Sequence, residues 1–289
     1  MQNASVKMRT FGPGQFHEFK LPNGKTLLID PFWGFPNPAG YYDDGLMGHS
    51  RDEIEGADYI IITHTHGDHD KDLGYYANKY NSKVIAPAMS SQDLFRYHKI
   101  GCDNIFFAFP GNSLKFKDME IKVFPAKHCN LGITYDPNLD VGKMMGMEGH
   151  KDCDDWGSIE SYDYLITFYN GFQILLANGR DIYSGTSDYS AQICPDVLIR
   201  QAEVKYEEGE KEGQMYSPED YAELCSRFRA NLVLPTHYDS VCKKYGGKEF
   251  MDNYYAQVNE ELKRLVPGTS FFLPDRWVWY SMGVGISEE

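Results

Sequence analysis

Apolar and polar positions first settle into a readable pattern between Gln15 and Asp30, where QFHEFKL and KTLLID flank Pro22-Asn23-Gly24. Two extended runs around a glycine that supplies a positive φ predict a β-hairpin. Ala57 to Thr63, ADYIIIT, holds a short run of apolar, mostly β-branched residues, the pattern of a strand buried on both faces, and His64 follows at its C-terminal end. Helical spacing then covers Leu73 to Tyr80, a strand is predicted at 83–86, and a second helix at 91–99 with Ser90 or Ser91 as its cap. Strands are expected at 104–109 and 119–125, then at 162–169, 172–177 and 181–184, with Asn-Gly turns at 170 and 178. Ser217-Pro218-Glu219-Asp220 places a cap, a first-turn proline and two acids ahead of a helix running to about Arg229. A strand at 231–235 delivers His237, a helix covers 248–265, and strand-like aromatics close the chain from 270 to 282.

Three stretches break this rhythm. Residues 31–50 are rich in Pro, Gly and aromatics and read as an irregular loop. The acidic run 201–214, QAEVKYEEGEKEGQ, reads as a solvated loop. Residues 129–158 hold Gly, Met, Asp and a Trp without periodicity, and a loop this long inside a compact domain is usually functional, so an active-site loop is expected there. No Gly/Ser linker interrupts the alternation of strands and helices, which favours one α/β domain over residues 1–289.

Composition narrows the class. With 28 Lys and Arg against 42 Asp and Glu, the formal charge of −14 disfavours a phosphate-rich partner, so no nucleic acid is expected. Six cysteines at 102, 129, 153, 194, 225 and 242 are scattered, without a C-x-x-C pair, and read as mostly reduced core thiols. The start of the chain has no signal-peptide or transit-peptide pattern, and no apolar run approaches the roughly 20 residues of a membrane span. A cytoplasmic protein with no membrane partner is the expectation, with a homo-oligomer left open.

The chemistry concentrates at Thr63 to Asp70, THTHGDHD, which contains His64-x-His66-x-Asp68-His69. Imidazole nitrogen and carboxylate oxygen suit Zn or Mn, with Fe as a further option, and four such ligands in six residues point to two adjacent divalent metal ions. A buried strand feeds the motif, and ligand sites in α/β folds gather at strand C-termini. His128 and His237 likewise follow strands and are candidate ligands; His17, His49, His98 and His150 lack such a context, with His150 in the long loop placed to touch a substrate.

With these residues in hand, the chain resembles the metallo-β-lactamase superfamily, whose H-x-H-x-D-H loop, later His, later Asp and final His build a two-metal site. More narrowly, LLIDPF at 27–32, THTHGDHD, SGTSDYS at 184–190 and SPEDYAELC with LVLPTHYD look like the L-ascorbate-6-phosphate lactonase-like branch. The resemblance implies an α/β (α+β four-layer) fold, an αββα sandwich of two mixed β-sheets flanked by helices. It also implies that His64, His66 and His128 hold one metal and Asp68, His69 and His237 the other, with Asp30 orienting the loop by accepting hydrogen bonds. In that branch the bridging aspartate directly follows the glycine of S-G-D, whereas this chain reads Ser184-Gly185-Thr186-Ser187-Asp188. Either Asp188 bridges from two residues later, or Thr186 leaves the site without that carboxylate.

Two cations about 3.5 to 4 Å apart can lower the pKa of a shared water toward 7 and polarise a carbonyl or phosphoryl oxygen. The expected function is therefore metal-dependent hydrolysis of a small polar lactone, ester or phosphoester, with Asp68 and Asp188 as the catalytic carboxylates. A phospholipase-type phosphodiesterase and a non-enzymatic metal-binding member of the fold are the alternatives.

Overall fold

The computed structural model describes residues 5–11, 14–34, 48–126, 141–144, 146–151, 160–178, 189–190, 192–201, 204–205, 214–237, 247–283 and 286–288. They belong to two compact units, one formed by Met1–Phe109, Ile133–Glu160 and Asp275–Glu289, the other by Pro110–Gly132 and Ser161–Pro274. Strands β1 (Val6–Thr10), β2 (His17–Lys20), β3 (Thr26–Ile29), β4 (Tyr59–Ile61), β5 (Lys83–Pro87) and β6 (Ile105–Ala108) lie in the first unit. Strands β7 (Ser113–Lys115), β8 (Met119–Pro125), β9 (Tyr162–Phe168), β10 (Gln173–Ala177), β11 (Val197–Gln201), β12 (Val204–Lys205), β13 (Gln214–Met215), β14 (Leu232–Thr236) and β15 (Ser270–Phe271) lie in the second. Strands β16 (Tyr280–Met282) and β17 (Ile286–Glu288) return to the first. Helices α1 (Gly67–Asp70), α2 (Leu73–Tyr80) and α3 (Val141–Met144) belong to the first unit, α4 (Pro218–Ser226) and α5 (Gly247–Leu265) to the second.

The first unit is an eight-stranded mixed sheet in the order β17-β16-β1-β2-β3-β4-β5-β6. Its hairpin is the expected one: β2 and β3 pair antiparallel, Phe19 opposite Leu27, and Gly24 turns the chain at a φ of 84°. Strands β3 to β6 run parallel to one another, so the C-terminal ends of β3, β4 and β5 lie along one edge. On one face Leu28, Ile60, Ile62, Val84 and Ala86 pack with Leu73, Tyr76 and Ala77 of α2 and with Leu94. Phe11, Phe16, Trp33 and Trp277 extend this cluster, with Trp33 and Trp277 stacked 5.2 Å apart. The alternate residues Leu27, Ile29, Ile61 and Ile85 are also fully buried, which is why the strands read as unbroken apolar runs.

The second unit is a seven-stranded mixed sheet in the order β15-β14-β11-β10-β9-β8-β7, with β12 and β13 as a separate short pair. Leu165, Leu175, Leu198 and Val233 pack against Tyr221, Ala222 and Cys225 of α4 and Tyr254, Tyr255, Val258 and Leu262 of α5. Ser217 caps α4 as its sequence implies, its Oγ accepting the Asp220 N–H at 3.1 Å with Pro218 in the first turn. The turn at Asn170-Gly171 joins antiparallel β9 and β10, with Gly171 at a φ of 86°.

Several details differ from the sequence expectations. In place of a capped helix at 91–99 there is a 3-10 turn at Ala88–Ser90 and a π-helical turn at Asp93–Tyr97, in which the His98 N–H reaches the Asp93 carbonyl at 2.9 Å. Ser90 caps nothing; its Oγ lies 3.0 Å from Thr65 Oγ1 instead. Strand β7, with an exposed Ser and Lys around one half-buried Leu, carries too short an apolar pattern to stand out. Cys225 is a core thiol as expected, but Cys102 and Cys194 are exposed. The expected strand at 181–184 and most of the 129–158 loop lie outside the described residues. Among the described residues no helix is long and apolar enough to cross a membrane.

Candidate metal centre

Strand β4 ends at Ile61, and the chain turns from Thr63 through His66 into the single turn α1, so that His64, His66, Asp68 and His69 are all buried within one sharp bend. Gly14, at a φ of 77°, passes so close to this bend that a Cβ there would lie 3.1 Å from the Asp68 carbonyl oxygen. The imidazoles converge: the His64 ring centroid is 3.9 Å from that of His69 and 4.8 Å from that of His66. Asp68 Oδ1 and His69 Nε2 are 4.0 Å apart.

The residue that organises the bend is Asp30, at the end of β3. Its φ of 45° is a left-handed conformation that Asp tolerates better than most side chains, and it turns the fully buried carboxylate toward Thr63. Oδ1 accepts the Thr63 N–H at 2.8 Å; Oδ2 accepts the Thr63 hydroxyl at 2.6 Å and His69 Nδ1–H at 2.8 Å. Because a carboxylate only accepts, His69 donates from Nδ1, which makes Nε2 the nitrogen that would face a metal. The Thr63 hydroxyl donates to Asp30, so at 3.1 Å its oxygen accepts from His64 Nδ1–H, which gives His64 the same tautomer. One buried acid thus sets two imidazole tautomers for ligation, the orienting role that the resemblance implied for it.

The field of the bend suits a cation. Burial opposes a charge on His69, but the carboxylates of Asp68, Asp30 and Asp70 outweigh it and raise the His69 pKa above its ordinary value. The surroundings that favour a proton on this ring would favour a divalent ion beside it. Nitrogen and carboxylate donors on buried side chains, with tautomers held by hydrogen bonds, fit Zn, Mn or Fe.

The remaining candidates stand as follows. His237 is buried directly after β14 in the second unit, at a φ of 61°. His128 and Asp188 lie outside the described residues. The neighbouring Tyr189 is anchored, its hydroxyl donating to Asp163 and its ring stacked on Phe124 at 4.2 Å. His150 is not a substrate contact within reach of solvent: it is fully buried, its Nε2 2.7 Å from Asp70 Oδ2.

Sequence reasoning missed the group to which His150 belongs. His98 Nε2 lies 2.8 Å from the same Asp70 oxygen, and Asp93 Oδ2 lies 3.5 Å from His150 Nδ1. Burial pushes the Asp70 pKa up, but His150 and His98 outweigh it and hold the acid below the usual carboxylate range. The one available signal was the last residue of THTHGDHD, an acid beyond the four that the ligand pattern uses.

A model of the β-lactamase superfamily domain matches residues 25–150, the stretch that contains this bend. The metallo-β-lactamase fold protein YhfI from Bacillus subtilis covers 99% of this chain and 100% of its own length with a TM-score of 0.58 at 14% identity. Igni18, a metallo hydrolase of the archaeon Ignicoccus hospitalis, covers 96% and 100% with a TM-score of 0.61 at 15% identity. The fold is therefore that of the metallo-β-lactamase superfamily, with the two mixed sheets and flanking helices expected above. A UPF0173 metal-dependent hydrolase of a Geobacillus species is 40% identical over 218 residues, 75% of this chain and 80% of the relative. The chain belongs to the UPF0173 metal-dependent hydrolase family. It spans about half the length of the staphylococcal relatives it matches, between 50% and 57%.

Proposed function

We propose that this protein hydrolyses a small polar substrate carrying a lactone, ester or phosphoester, at a centre of two divalent cations. The observation that carries the reading is the Asp30 network, which fixes the Nδ1–H tautomer of His64 and His69 within a buried bend that also holds His66 and Asp68. A core histidine cluster with no ligand to hold has no need of a buried acid that selects the ligating tautomer. His64, His66 and His128 take one cation and Asp68, His69 and His237 the other, with Asp188 reaching both from the SGTSD segment, all within one domain spanning residues 1–289. Bound there, Zn or Mn, or Fe in their place, supplies Lewis acidity that draws a proton from water near neutral pH and polarises the substrate oxygen.

The chain's own residues do the rest. Asp30 keeps a proton on each Nδ1, so that Nε2 is the nitrogen each ring turns to the metal. Burial of the bend excludes bulk water, and Asp68 and Asp188 offer carboxylate oxygens that accept the proton released during attack and return it to the leaving group. The charge of −14 and the lack of any basic run favour a small molecule over a nucleic acid, in the cytoplasm.

The test is elemental analysis of the purified protein, followed by a panel of generic lactone, ester, phosphodiester and β-lactam substrates. The His64→Ala/His66→Ala double variant is expected to lose at least one metal equivalent and all turnover. Unchanged metal content in that variant refutes the assignment, and turnover confined to long-chain phosphodiesters would place the protein with the phospholipase-type enzymes.

A further inference from the structure

Helix α1 is four residues long and makes little more than one turn of backbone hydrogen bonds, Asp70 N to His66 O at 3.1 Å and Lys71 N to Gly67 O at 3.2 Å. So short a helix has no stability of its own, because fixing the first turn costs more than its few bonds return. Its position must come from what grips it. Asp30 grips His69 from β3, and on the last residue of the helix the Asp70 carboxylate is gripped by two rings from distant parts of the chain.

Those rings arrive on separate elements of the same unit. His98 directly follows the π-helical turn Asp93–Tyr97, and the wide turn carries its Nε2 to 2.8 Å from Asp70 Oδ2. His150 lies in the segment 146–151 after α3, with Nε2 2.7 Å from the same oxygen. Asp93 joins the two, since its Oδ1 accepts the Lys151 N–H at 2.8 Å and its Oδ2 faces His150 Nδ1. The Tyr97 ring stands edge-on to both imidazoles, at 4.9 Å from His98 and 4.8 Å from His150. Asp70, Asp93, His98 and His150 are all buried.

Two histidines and an acid are also a metal-ligand set, and the direction of the hydrogen bonds separates the two readings. Both Nε2–H groups aim at one Asp70 oxygen, at 2.7 and 2.8 Å, the spacing of charge-assisted N–H···O bonds, so that oxygen occupies the direction from which either nitrogen would have to meet an ion.

We propose that Asp70, His98 and His150 form a metal-free positioning clamp that ties the turn bearing Asp68 and His69 to the 93–97 turn and to the 146–151 segment, and so governs how firmly that turn retains its cations. The inference rests on the metal-centre reading above. None of the three touches a cation; they act through the backbone of α1, holding the two ligands at its centre in place. Loss of the clamp frees the C-terminal end of the turn while Asp30 still holds His69, so the expected defect is faster metal loss with the full stoichiometry retained when metal is in excess.

Glutamine and asparagine variants test this without opening a large cavity. Glutamine carries an amide N–H close to the place of a histidine Nε2–H but ligates metal poorly, whereas asparagine is too short to reach Asp70. The measurements are chelator-driven metal release well below the melting temperature, total metal by elemental analysis, and amide exchange of His69 to Lys71 in metal-free protein. His98→Asn, His150→Asn and Asp70→Asn are expected to release metal about tenfold faster, in the range of other outer ligand-orienting changes, and to exchange those amides faster. His98→Gln and His150→Gln should stay within about threefold of the parent, by the same comparison.

Loss of one whole metal equivalent in both the Gln and the Asn variants would overturn the clamp and make the cluster a metal site. Wild-type release and amide exchange in all three Asn variants, even with a lowered melting temperature, would reduce the cluster to a stabilising role and also overturn it. The His64→Ala/His66→Ala variant separates the two levels of inference. If it keeps its metal, the metal-centre reading fails; if it loses metal while the Asn variants behave as wild type, the clamp alone fails.

Discussion

Replacing Asp30 with Asn removes a charge and almost nothing else. Asn is the same size, it tolerates the left-handed backbone at a φ of 45°, and its carbonyl oxygen can still accept the Thr63 N–H. What it cannot do is accept at both positions. Its amide NH2 must face the Thr63 hydroxyl and His69 Nδ1, where Oδ2 now accepts two hydrogen bonds at 2.6 and 2.8 Å. His69 then has to accept on Nδ1, which moves its proton to Nε2 and blocks the lone pair that would ligate. Removal of a carboxylate behind a ligating histidine typically costs 10- to 100-fold in metal affinity, or about 1.4 to 2.7 kcal/mol. The upper end is expected here, because the same acid also holds the tautomer of His64 through Thr63. Competition with a chromophoric chelator at pH 7.5 gives the affinity, and the nitrogen chemical shifts of His69 give the tautomer. An Asp30→Asn protein that binds metal within twofold of the parent and keeps the proton on Nδ1 would refute the account of the bend.

Two further outcomes are expected away from that bend. His17 is buried in β2, and burial lowers its pKa from 6.5 to about 3; below 6.5 the unfolded chain takes up a proton that the folded one refuses, so stability falls with pH between these values. At pH 4.5 the loss is about 2 to 3 kcal/mol, and His17→Leu should flatten the stability profile from pH 6.5 to 4.5 by that amount in denaturant titrations; parallel profiles for the two proteins would contradict it. Ser217→Ala removes the side-chain acceptor of the Asp220 N–H and should cost about 1 kcal/mol of stability by the same titration, against no change if water replaces the cap without loss.

The elements legible in the sequence are those whose pattern is local. Tyr59 to Ile62 in ADYIIIT are apolar at every position because β4 is covered on both faces, and Ser217-Pro218 states a helix start in two adjacent residues. The bend proposed to bind metal is local for the same reason, since His64 to His69 are near neighbours in the chain. Asp30 was legible only through resemblance, since nothing around LLID shows that the strand ends against Thr63. The clamp was not legible, because Asp70 meets His98 and His150 across 28 and 80 residues and no periodicity registers such a meeting. The π-helical turn at 93–97 was missed because its sequence, DLFRY, has ordinary helical composition and is widened by where His98 has to go.

The pairing of β1 with β16 sets a schedule for synthesis. Val6 to Met8 lie beside Tyr280 to Met282, and the Thr10 carbonyl accepts the Trp277 N–H at 2.9 Å. A chain leaving the ribosome therefore holds one edge of β1 open until residues beyond 275 have been made, while the stretch 161–274 already contains most of its own sheet. Contacts of such long sequence separation form late, and an open strand edge is a template for another chain in the meantime. A chain cut short before Asp275 would retain the whole bend from His64 to His69 and yet be prone to pair with copies of itself.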